Sequence, residues 1–289
     1  MTDQIQTVYL NGKFMPIEQA YVPVLDRGFI FGDGVYEVIP VYSRRPFRLP
    51  EHLRRLQHSL DGIRLINPHT DEAWADLFEQ LIARSEGEDQ YLYLQITRGV
   101  AKRDHAFPAN VPPTIFMMSS PLVTPPEALR ATGVAAVSAL DNRWLRCDIK
   151  AIALLPNVLL RQQAIDAGAA ETLLLRDGFL TEGAASNIFV VANNTLLAPP
   201  KTHLMLPGIT YDVILELAAM HGIPHEVREI TEHEVRTAQE LWQTSSTREI
   251  VPITTLDGKP VGNGKPGPLF HKMYALYQDY KRAVRAGGV

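Results

Sequence analysis

Apolar residues recur with two different periods along the first 120 residues of the chain. Alternating runs of β-branched and aromatic residues indicate strands, and apolar residues three or four positions apart indicate helices. Leu53, Leu56 and Leu60 follow Pro50 at the helical spacing, and proline is common in the first turn of a helix. The predicted strands are 8–14 (a hairpin), 35–42, 91–98 and 114–118, and the predicted helices are 50–63 and 71–85. The pattern therefore predicts an α/β domain over residues 1–120.

Three prolines within residues 121–126 separate this pattern from a second one. Proline fixes its own backbone and removes a hydrogen-bond donor, so this segment is predicted to be a linker. Beyond it, strands at 134–140, 171–176 and 187–191 alternate with helices at 158–167 and 210–221. We therefore expect an α/β (α+β) chain with two domains, residues 1–120 and 127–289.

Composition narrows the class of protein. The 289 residues are 46% hydrophobic and 21% charged, with a formal net charge of −4. This composition is typical of a soluble globular protein, and the negative charge argues against a general binder of nucleic acid or of a membrane surface. The partners expected from it are small molecules or a second copy of the chain.

The single cysteine, Cys147, excludes an intrachain disulfide and a cysteine-cluster metal site. The first residues lack the basic start and apolar run of a signal peptide, and no apolar span reaches the ~20 residues of a membrane helix. The chain is therefore expected to be cytoplasmic. No metal site is expected, because the His-Glu pairs at 225–226 and 233–234 lack the second histidine of a zinc helix.

Lys150 is the candidate nucleophile. It runs directly into the apolar residues 151–155, whereas the other lysines lie near turn residues or on a C-terminal amphipathic stretch. A buried lysine either loses its proton or finds a partner, because an unpaired buried charge costs several kcal/mol. The alternative is a lysine whose stem packs and whose amine reaches water.

Three further features follow Lys150 along the chain. Glu182 lies between two strands, Gly208-Ile209-Thr210 begins a helix whose free amides suit an anion, and residues 244–247 are four consecutive hydroxyl residues. Alone, each has an ordinary reading: a turn acid, a helix cap by Thr210, and a turn. Together, a lysine, a carboxylate, a helix N-terminus and a hydroxyl cluster form the set of groups that pyridoxal phosphate requires.

Two cationic positions in the first half of the chain are also candidates. The loop Lys102-Arg103-Asp104-His105 is a cationic tip in an acidic protein, suited to binding a carboxylate, although a solvated loop is the alternative. Arg54 and Arg55 are adjacent on a predicted helix, so they point about 100° apart and one of them can face inward.

The chain resembles the fold-type IV pyridoxal-phosphate-dependent aminotransferases, and within them the D-amino-acid transaminases. The resemblance rests on RWLRCDIK at 143–150, FGDGVYEV at 31–38, Glu51-His52 with Arg55, TEG at 181–183, GIT at 208–210 and Thr244-Ser245, and it covers nearly the whole chain. It implies a small N-terminal α/β domain and a larger C-terminal pseudo-barrel α/β domain that binds the cofactor.

The resemblance also implies residue roles. Lys150 would be the Schiff-base lysine, Glu182 the partner of the pyridine nitrogen, and Leu206 the apolar residue against the cofactor ring. The other implied cofactor contacts, mostly to the phosphate, are Arg55, Ile209, Thr210, Ser245 and Ser246. Tyr36, Arg103 and His105 would bind the substrate α-carboxylate. In that family the Arg-x-His loop comes from the neighbouring subunit, which implies a homodimer with shared sites.

The implied activity is transamination between a D-amino acid and a 2-oxo acid, for example D-alanine and 2-oxoglutarate to pyruvate and D-glutamate. A branched-chain L-aminotransferase, an aminodeoxychorismate lyase and a cofactor-binding protein without turnover are the alternatives. The chain departs from the family pattern at Ala184-Ala185, where serines are usual, and at Tyr211, where an arginine is common. These departures affect expectations about cofactor affinity and substrate range.

Overall fold

The structure, a computed structural model, describes residues 6–288. Its Cα atoms fall into two compact units. The first unit runs to Val123 and also takes in Ile149–Leu154, and the second consists of Thr124–Asp148 and Leu155 onward. The domain boundaries drawn from the sequence stay a prediction. The structure adds that the segment containing Lys150 clusters with the first unit.

The first unit is built on a six-stranded sheet whose neighbouring strands are all antiparallel. Its strands lie in the order β2-β1-β6-β5-β3-β4. They are β1 (Thr7–Leu10), β2 (Lys13–Pro16), β3 (Gly34–Tyr42), β4 (Arg45–Pro46), β5 (Gln90–Thr97) and β6 (Thr114–Pro121). The predicted strands in this part of the chain are confirmed.

Three helices accompany this sheet: α1 (Arg27–Phe31), α2 (Leu49–Gly62) and α3 (Asp71–Arg84). Leu53, Leu56 and Leu60 on α2 join the buried core with Ile39 and Leu94 of the sheet. Because the apolar residues of α2 recur at the helical period, they form one stripe that the sheet covers. The two predicted helices are confirmed.

Helix α1 is an element that the sequence did not predict, since glycines 28–34 indicated only a tight loop. Asp26 caps it by accepting a hydrogen bond from the Gly28 amide at 2.8 Å, and Gly32 ends it at φ 65°. Gly34 then begins β3, where a Cβ atom would lie 2.5 Å from the Ile96 carbonyl oxygen. The glycines thus end a short helix and allow two strands to approach closely.

The second unit contains a nine-stranded mixed sheet. Its main path is β12-β11-β10-β13-β14-β7-β8-β9, and β15 pairs with β14. The strands are β7 (Val134–Leu140), β8 (Glu171–Arg176), β9 (Phe179–Gly183), β10 (Asn187–Ala192), β11 (Thr195–Ala198), β12 (His225–Val227), β13 (Glu240–Ser245), β14 (Glu249–Leu256) and β15 (Lys259–Pro260). Strands β9 and β10 are consecutive in the chain but far apart in this order, so the sheet curls into a half-barrel.

The helices of the second unit are α4 (Glu127–Thr132), α5 (Leu155–Asp166), α6 (Ile209–Met220), α7 (Glu232–Arg236) and α8 (Pro268–Ala286). The predicted helices at 158–167 and 210–221 correspond to α5 and α6. No helix among residues 6–288 combines the length and apolar character needed to cross a bilayer.

Helix α8 is tied to the sheet by a buried ion pair. Glu249 is fully buried at the start of β14 and accepts hydrogen bonds from the Lys281 amine and from Gln278 Nε2, the latter at 2.8 Å. Glu249 also has a left-handed backbone, with φ 59°. A buried carboxylate needs such partners because its desolvation is costly, so α8 fixes the start of β14, directly after the turn that carries Ser245 and Ser246.

Candidate active site

Lys150 is held in the first unit by backbone hydrogen bonds along β3. Its carbonyl accepts from the Tyr36 amide at 3.0 Å, and its amide donates to Ser59 Oγ at 3.1 Å. Its side chain is partly buried, so the expectation of a buried lysine is wrong in degree. The segment lies at the edge of the core, and the amine lies 4.3 Å from the centre of the Tyr36 ring. The amine therefore rests against an aromatic face and stays accessible.

An aromatic row extends from Tyr36 across three neighbouring strands. The ring centres of Tyr36 and Tyr93 are 5.8 Å apart, and those of Tyr93 and Phe116 are 6.4 Å apart. Burial raises the pKa of Tyr93 to about 12, and its hydroxyl donates to Gln95 at 2.7 Å. This row gives the first unit a largely neutral wall beside the Lys150 amine.

Arg55 faces inward from α2, while Arg54 is exposed, as one of the two adjacent arginines was expected to be. Arg55 Nε and Nη2 donate to the two carboxylate oxygens of Glu37 at 2.8 and 2.7 Å. His52 Nδ1 lies 2.8 Å from the same carboxylate. Burial opposes ionisation of Glu37, but Arg55 and His52 outweigh it and lower the pKa of Glu37 well below its usual range.

Glu37 and His52 were quoted as parts of motifs without a role. The structure shows that they fix the orientation of the Arg55 guanidinium. The predicted contact of Arg55 with a phosphate is not tested by these bonds and stays a prediction. The available signal was the placement of Glu37 on a strand where an inward-facing carboxylate needs a cation.

Arg103 and His105 lie on the exposed connection between β5 and β6. Both contact Phe31 of α1: the Arg103 guanidinium carbon is 5.4 Å from the ring centre, and the His105 ring centre is also 5.4 Å away. The structure therefore brings the two predicted carboxylate-binding side chains to the same aromatic ring. Tyr36, the third predicted member, is placed beside Lys150.

Glu182 lies at the centre of a second cluster, in the second unit. It is 4% exposed on β9 and accepts from Arg143 Nη1 at 2.6 Å, from Asn187 Nδ2 at 3.2 Å and from the Leu206 amide at 3.2 Å. Burial raises the pKa of Glu182 to about 7, although Arg143 opposes the shift. A second cation beside this carboxylate would favour its ionised form.

Arg143 is oriented by Asp141, whose two oxygens accept from Nε and Nη2, each at 2.9 Å. Asp141 is also 3.1 Å from Arg176 and accepts from the Thr181 hydroxyl at 2.9 Å. Burial would raise the pKa of Asp141, but Arg143 and Thr181 hold it at about 2. Sequence reasoning quoted Arg143 only as the start of a motif. A buried Arg–carboxylate pair 39 residues apart in sequence leaves no local signal.

The start of α6 is joined to Glu182 through Asn187, which donates to the Leu206 carbonyl at 2.9 Å. Gly208 is the N-cap residue, and no side chain in the described part of the chain caps the helix there. Thr210 lies inside the first turn, so its predicted alternative role as the cap is wrong. A Cβ atom at Gly208 would lie 1.9 Å from Asn187 Oδ1, which explains the glycine. The first turn, with buried Ile209 and Thr210, thus presents helix amides suited to an anion.

Ser245 and Ser246 are partly buried at the end of β13. Ser245 Oγ accepts from the Arg248 amide at 3.3 Å, so it also stabilises the turn, as its ordinary reading predicted. Thr244 pairs with Asn187 in the β10–β13 ladder. The second unit therefore gathers Glu182, Leu206, the start of α6 and the start of the hydroxyl run around Asn187.

These groups fit pyridoxal phosphate. The accessible amine of Lys150 suits its aldehyde, and the buried carboxyl of Glu182, with a pKa of about 7, suits a ring nitrogen that takes up a proton. The α6 amides and partly buried hydroxyls suit a phosphate. Ala184 is buried and its carbonyl accepts from Asn157 at 2.9 Å, and Tyr211 is buried with its hydroxyl donating to the Pro199 carbonyl at 2.7 Å. Neither departure from the family pattern disturbs Glu182.

Comparison with known proteins identifies the relatives of the chain. The family model described as amino-transferase class IV matches residues 34–256. The D-alanine aminotransferase of Bacillus licheniformis is 39% identical over 272 residues, covering 94% of this chain and 96% of that protein. The protein of the same name from Staphylococcus aureus strain MSSA476 is 35% identical over 277 residues, covering 96% and 98%.

Solved structures show the same fold. A branched-chain amino acid aminotransferase from Escherichia coli superposes with a TM-score of 0.88 at 25% identity, covering 96% of this chain and 94% of that one. A second branched-chain amino acid aminotransferase, from the source abbreviated T.th. and solved with pyridoxamine 5'-phosphate, has a TM-score of 0.88 at 25% identity, with coverage of 99% and 96%.

Proposed function

Because the chain belongs to the class IV family of aminotransferases, we propose that it is a D-amino-acid transaminase that uses pyridoxal phosphate. Its reaction transfers the amino group of a D-amino acid to a 2-oxo acid, with D-alanine and 2-oxoglutarate giving pyruvate and D-glutamate as the representative case. The observation that carries the choice of D-amino acids is the identity of 35–39% with D-alanine aminotransferases over almost the entire chain. The branched-chain enzymes share the fold at a lower identity of 25%.

The cofactor, when bound, supplies a carbonyl carbon that condenses with amines and a protonated ring that withdraws electrons from the substrate Cα. We assign its retention to Lys150 at the carbonyl carbon, Glu182 at the ring nitrogen and Leu206 against the ring. The proposed phosphate-binding groups are Arg55, Ile209, Thr210, Ser245 and Ser246. Glu37 supports this assignment, because it fixes the Arg55 guanidinium.

Lys150 Nζ is the proposed general base. It would take the proton from the substrate Cα and hand it to the cofactor carbon, and the second half-reaction reverses this transfer. Proton transfer of this kind typically contributes ~10²–10⁴-fold. The Tyr36 ring 4.3 Å from the amine orients it, and Glu182, held by Arg143, would balance the positive ring nitrogen.

The substrate α-carboxylate is assigned to Tyr36, Arg103 and His105. Arg103 and His105 flank the same Phe31 ring and are exposed, so they are available to a ligand. Guanidinium and imidazolium donors form strong charge-assisted bonds with carboxylates. Both the amino acid and the oxo acid carry this carboxylate, so one set of groups serves both half-reactions.

We assign the chain to a cytoplasmic homodimer in which the loop of one subunit serves its neighbour. Tyr21, Val24 and Phe29 are 80%, 71% and 76% exposed, and the Ala101 amide, at the base of the loop, donates to the Leu25 carbonyl at 3.3 Å. Apolar surface of this kind beside a functional loop favours burial by a second copy. The single buried thiol, Cys147, is compatible with a reducing compartment.

The test is an activity assay on the purified protein with D-alanine or L-leucine as donor and 2-oxoglutarate as acceptor. We expect D-glutamate and pyruvate from D-alanine, and loss of the reaction in Lys150→Ala. Borohydride treatment followed by peptide mass mapping should place the cofactor adduct on Lys150. Activity confined to the L-amino acid would refute the D assignment, and a bound cofactor whose spectrum no amino acid changes would identify a protein without turnover.

A further inference from the structure

Arg27 of α1 binds the backbone of the loop that carries Arg103 and His105. It is 4% exposed, and its Nη1 donates to the Asp104 carbonyl at 2.5 Å and to the Ala106 carbonyl at 3.3 Å. Its Nη2 donates to the carbonyl of His105 at 3.4 Å. One guanidinium therefore holds three successive carbonyls, and the middle one belongs to a proposed carboxylate-binding residue.

The opposite edge of the Arg27 guanidinium is fixed as well. Its Nε donates to Asp33 Oδ2 at 2.8 Å, and Asp33 also accepts from Arg98 Nε at 2.8 Å and Nη2 at 3.0 Å. The Arg27 amide donates to the Gly99 carbonyl at 2.9 Å, where the loop leaves β5. Because the guanidinium is planar and bound on both edges, the loop backbone has a defined position relative to α1.

Phe31 gives the side chains of the loop a common surface. It lies one turn after Arg27 on α1, and the Arg27 guanidinium carbon is 4.8 Å from its ring centre. Arg103 and His105 contact the same ring at 5.4 Å each. Arg27 therefore holds the backbone of these residues, and the ring four residues later holds their side chains.

We propose that Arg27 is a positioning residue for capture of the substrate α-carboxylate, acting through the backbone of residues 104–106 and, with Phe31, setting the geometry of Arg103 and His105. The inference rests on the proposed function, in which these two residues bind that carboxylate. Its physical basis is preorganisation: an exposed loop with long side chains otherwise loses conformational entropy when a ligand binds. Arg27 removes that cost without contacting the substrate.

The first test is steady-state kinetics of the holoenzyme with Arg27→Lys, which keeps the charge and loses the planar fork. The matched control is Arg54→Lys, an exposed arginine of α2. We expect KM for D-alanine and KM for 2-oxoglutarate each to rise about 10-fold to 100-fold in Arg27→Lys, with little change in kcat, because a misplaced binding group costs rate at that scale. The control should keep both KM values.

A merely structural role for Arg27 predicts a different result, namely a lower thermal midpoint and a lower kcat with unchanged KM values. That outcome overturns the inference. If Arg27→Lys does not fold, Phe31→Leu replaces it, because this variant keeps the carbonyl bonds and removes the shared ring. It should raise both KM values as well, and unchanged values overturn the proposal.

A double-mutant cycle with Arg103→Met separates this inference from the proposed function. If Arg27 acts through the loop, Arg27→Lys adds little to KM once Arg103 is replaced, since coupled residues are not additive. Full additivity overturns the positioning role. An Arg103→Met variant with wild-type KM values overturns the proposed carboxylate site itself, whereas a raised KM in Arg103→Met together with a wild-type KM in Arg27→Lys overturns only the inference about Arg27.

Discussion

Glu182 and Asp141 share the guanidinium of Arg143, yet their pKa values move in opposite directions. Asp141 stays at about 2 because, against the effect of its burial, Arg143 binds it through two nitrogens and Thr181 donates to it as well. Glu182 rises to about 7 because it is buried and receives one arm of Arg143. Neighbouring carboxyls with separated pKa values are typical of sites where one group exchanges protons and the other holds the geometry.

The raised pKa of Glu182 predicts how the stability of the cofactor-free protein depends on pH. Below about pH 4.5, the ordinary value, this group is protonated in both states. As the pH rises toward 7 the unfolded chain releases the proton and the native chain keeps it, so the free energy of unfolding falls, by a few kcal/mol at most. Above about pH 7 the loss is complete.

Urea unfolding between about pH 4.5 and pH 8 of the wild type and of Glu182→Gln measures this contribution. We expect the wild type minus variant difference to decrease across that range. Glu229→Gln, at an exposed glutamate of the same unit, is the control and should give a flat difference. A difference for Glu182 that is flat or increases with pH would contradict the raised pKa.

At the scale of elements, the start of α6 depends on one close contact. Gly208 precedes the helix and packs against Asn187, and Asn187 binds both Glu182 and the Leu206 carbonyl. The helix amides and the carboxyl therefore share one positioning side chain. A change in the entry to α6 is transmitted to Glu182 through Asn187.

Gly208→Ala is expected to weaken cofactor binding. The added methyl would lie 1.9 Å from Asn187 Oδ1, so Asn187 or the helix start must move, at a cost of about 1–3 kcal/mol. We expect the dissociation constant of pyridoxal phosphate, measured by fluorescence titration, to rise about 5-fold or more. Gly288→Ala is the control, because its nearest neighbour would lie at 3.7 Å. Equal cofactor affinity in the two variants would contradict the role of this contact.

At the scale of the whole molecule, the chain leaves the first unit after Val123, returns for Ile149–Leu154 and leaves again. The returning segment brings Lys150 beside β3, next to Tyr36. The proposed dimer adds a further level, because the loop with Arg103 and His105 is assigned to the site of the neighbouring subunit. This arrangement predicts complementation between inactive subunits.

Mixing Lys150→Ala with the double variant Arg103→Met/His105→Leu tests that arrangement. In a mixed dimer with shared sites, one site contains both a wild-type lysine and a wild-type loop, so random exchange should restore about a quarter of the wild-type activity. The control mixture is Lys150→Ala with Tyr36→Leu, because these residues lie together in one chain and no intact site can form. Mixed dimers that gain no activity over their parents would show that the loop serves its own subunit.

The sequence by itself determined the elements and the chemistry of the family. Periodicity placed the strands β3, β5 and β6 and the helices α2, α3, α5 and α6, because side-chain burial follows the local repeat of the backbone. Motif resemblance predicted the family and its cofactor, which the comparisons confirmed. The roles of Lys150, Glu182, Arg55 and the loop stay predictions for the experiments above.

Only the tertiary structure decided how those side chains are held. The contacts of Arg143 with Glu182, of Glu37 with Arg55 and of Arg27 with residues 104–106 join positions 18 to 79 residues apart. No local period encodes them, since they depend on which strands become neighbours and on the free energy of pairing buried charges. The partial burial of Lys150 was missed for the same reason: an apolar run indicates nearby core, but the fold decides on which side of it the amine emerges.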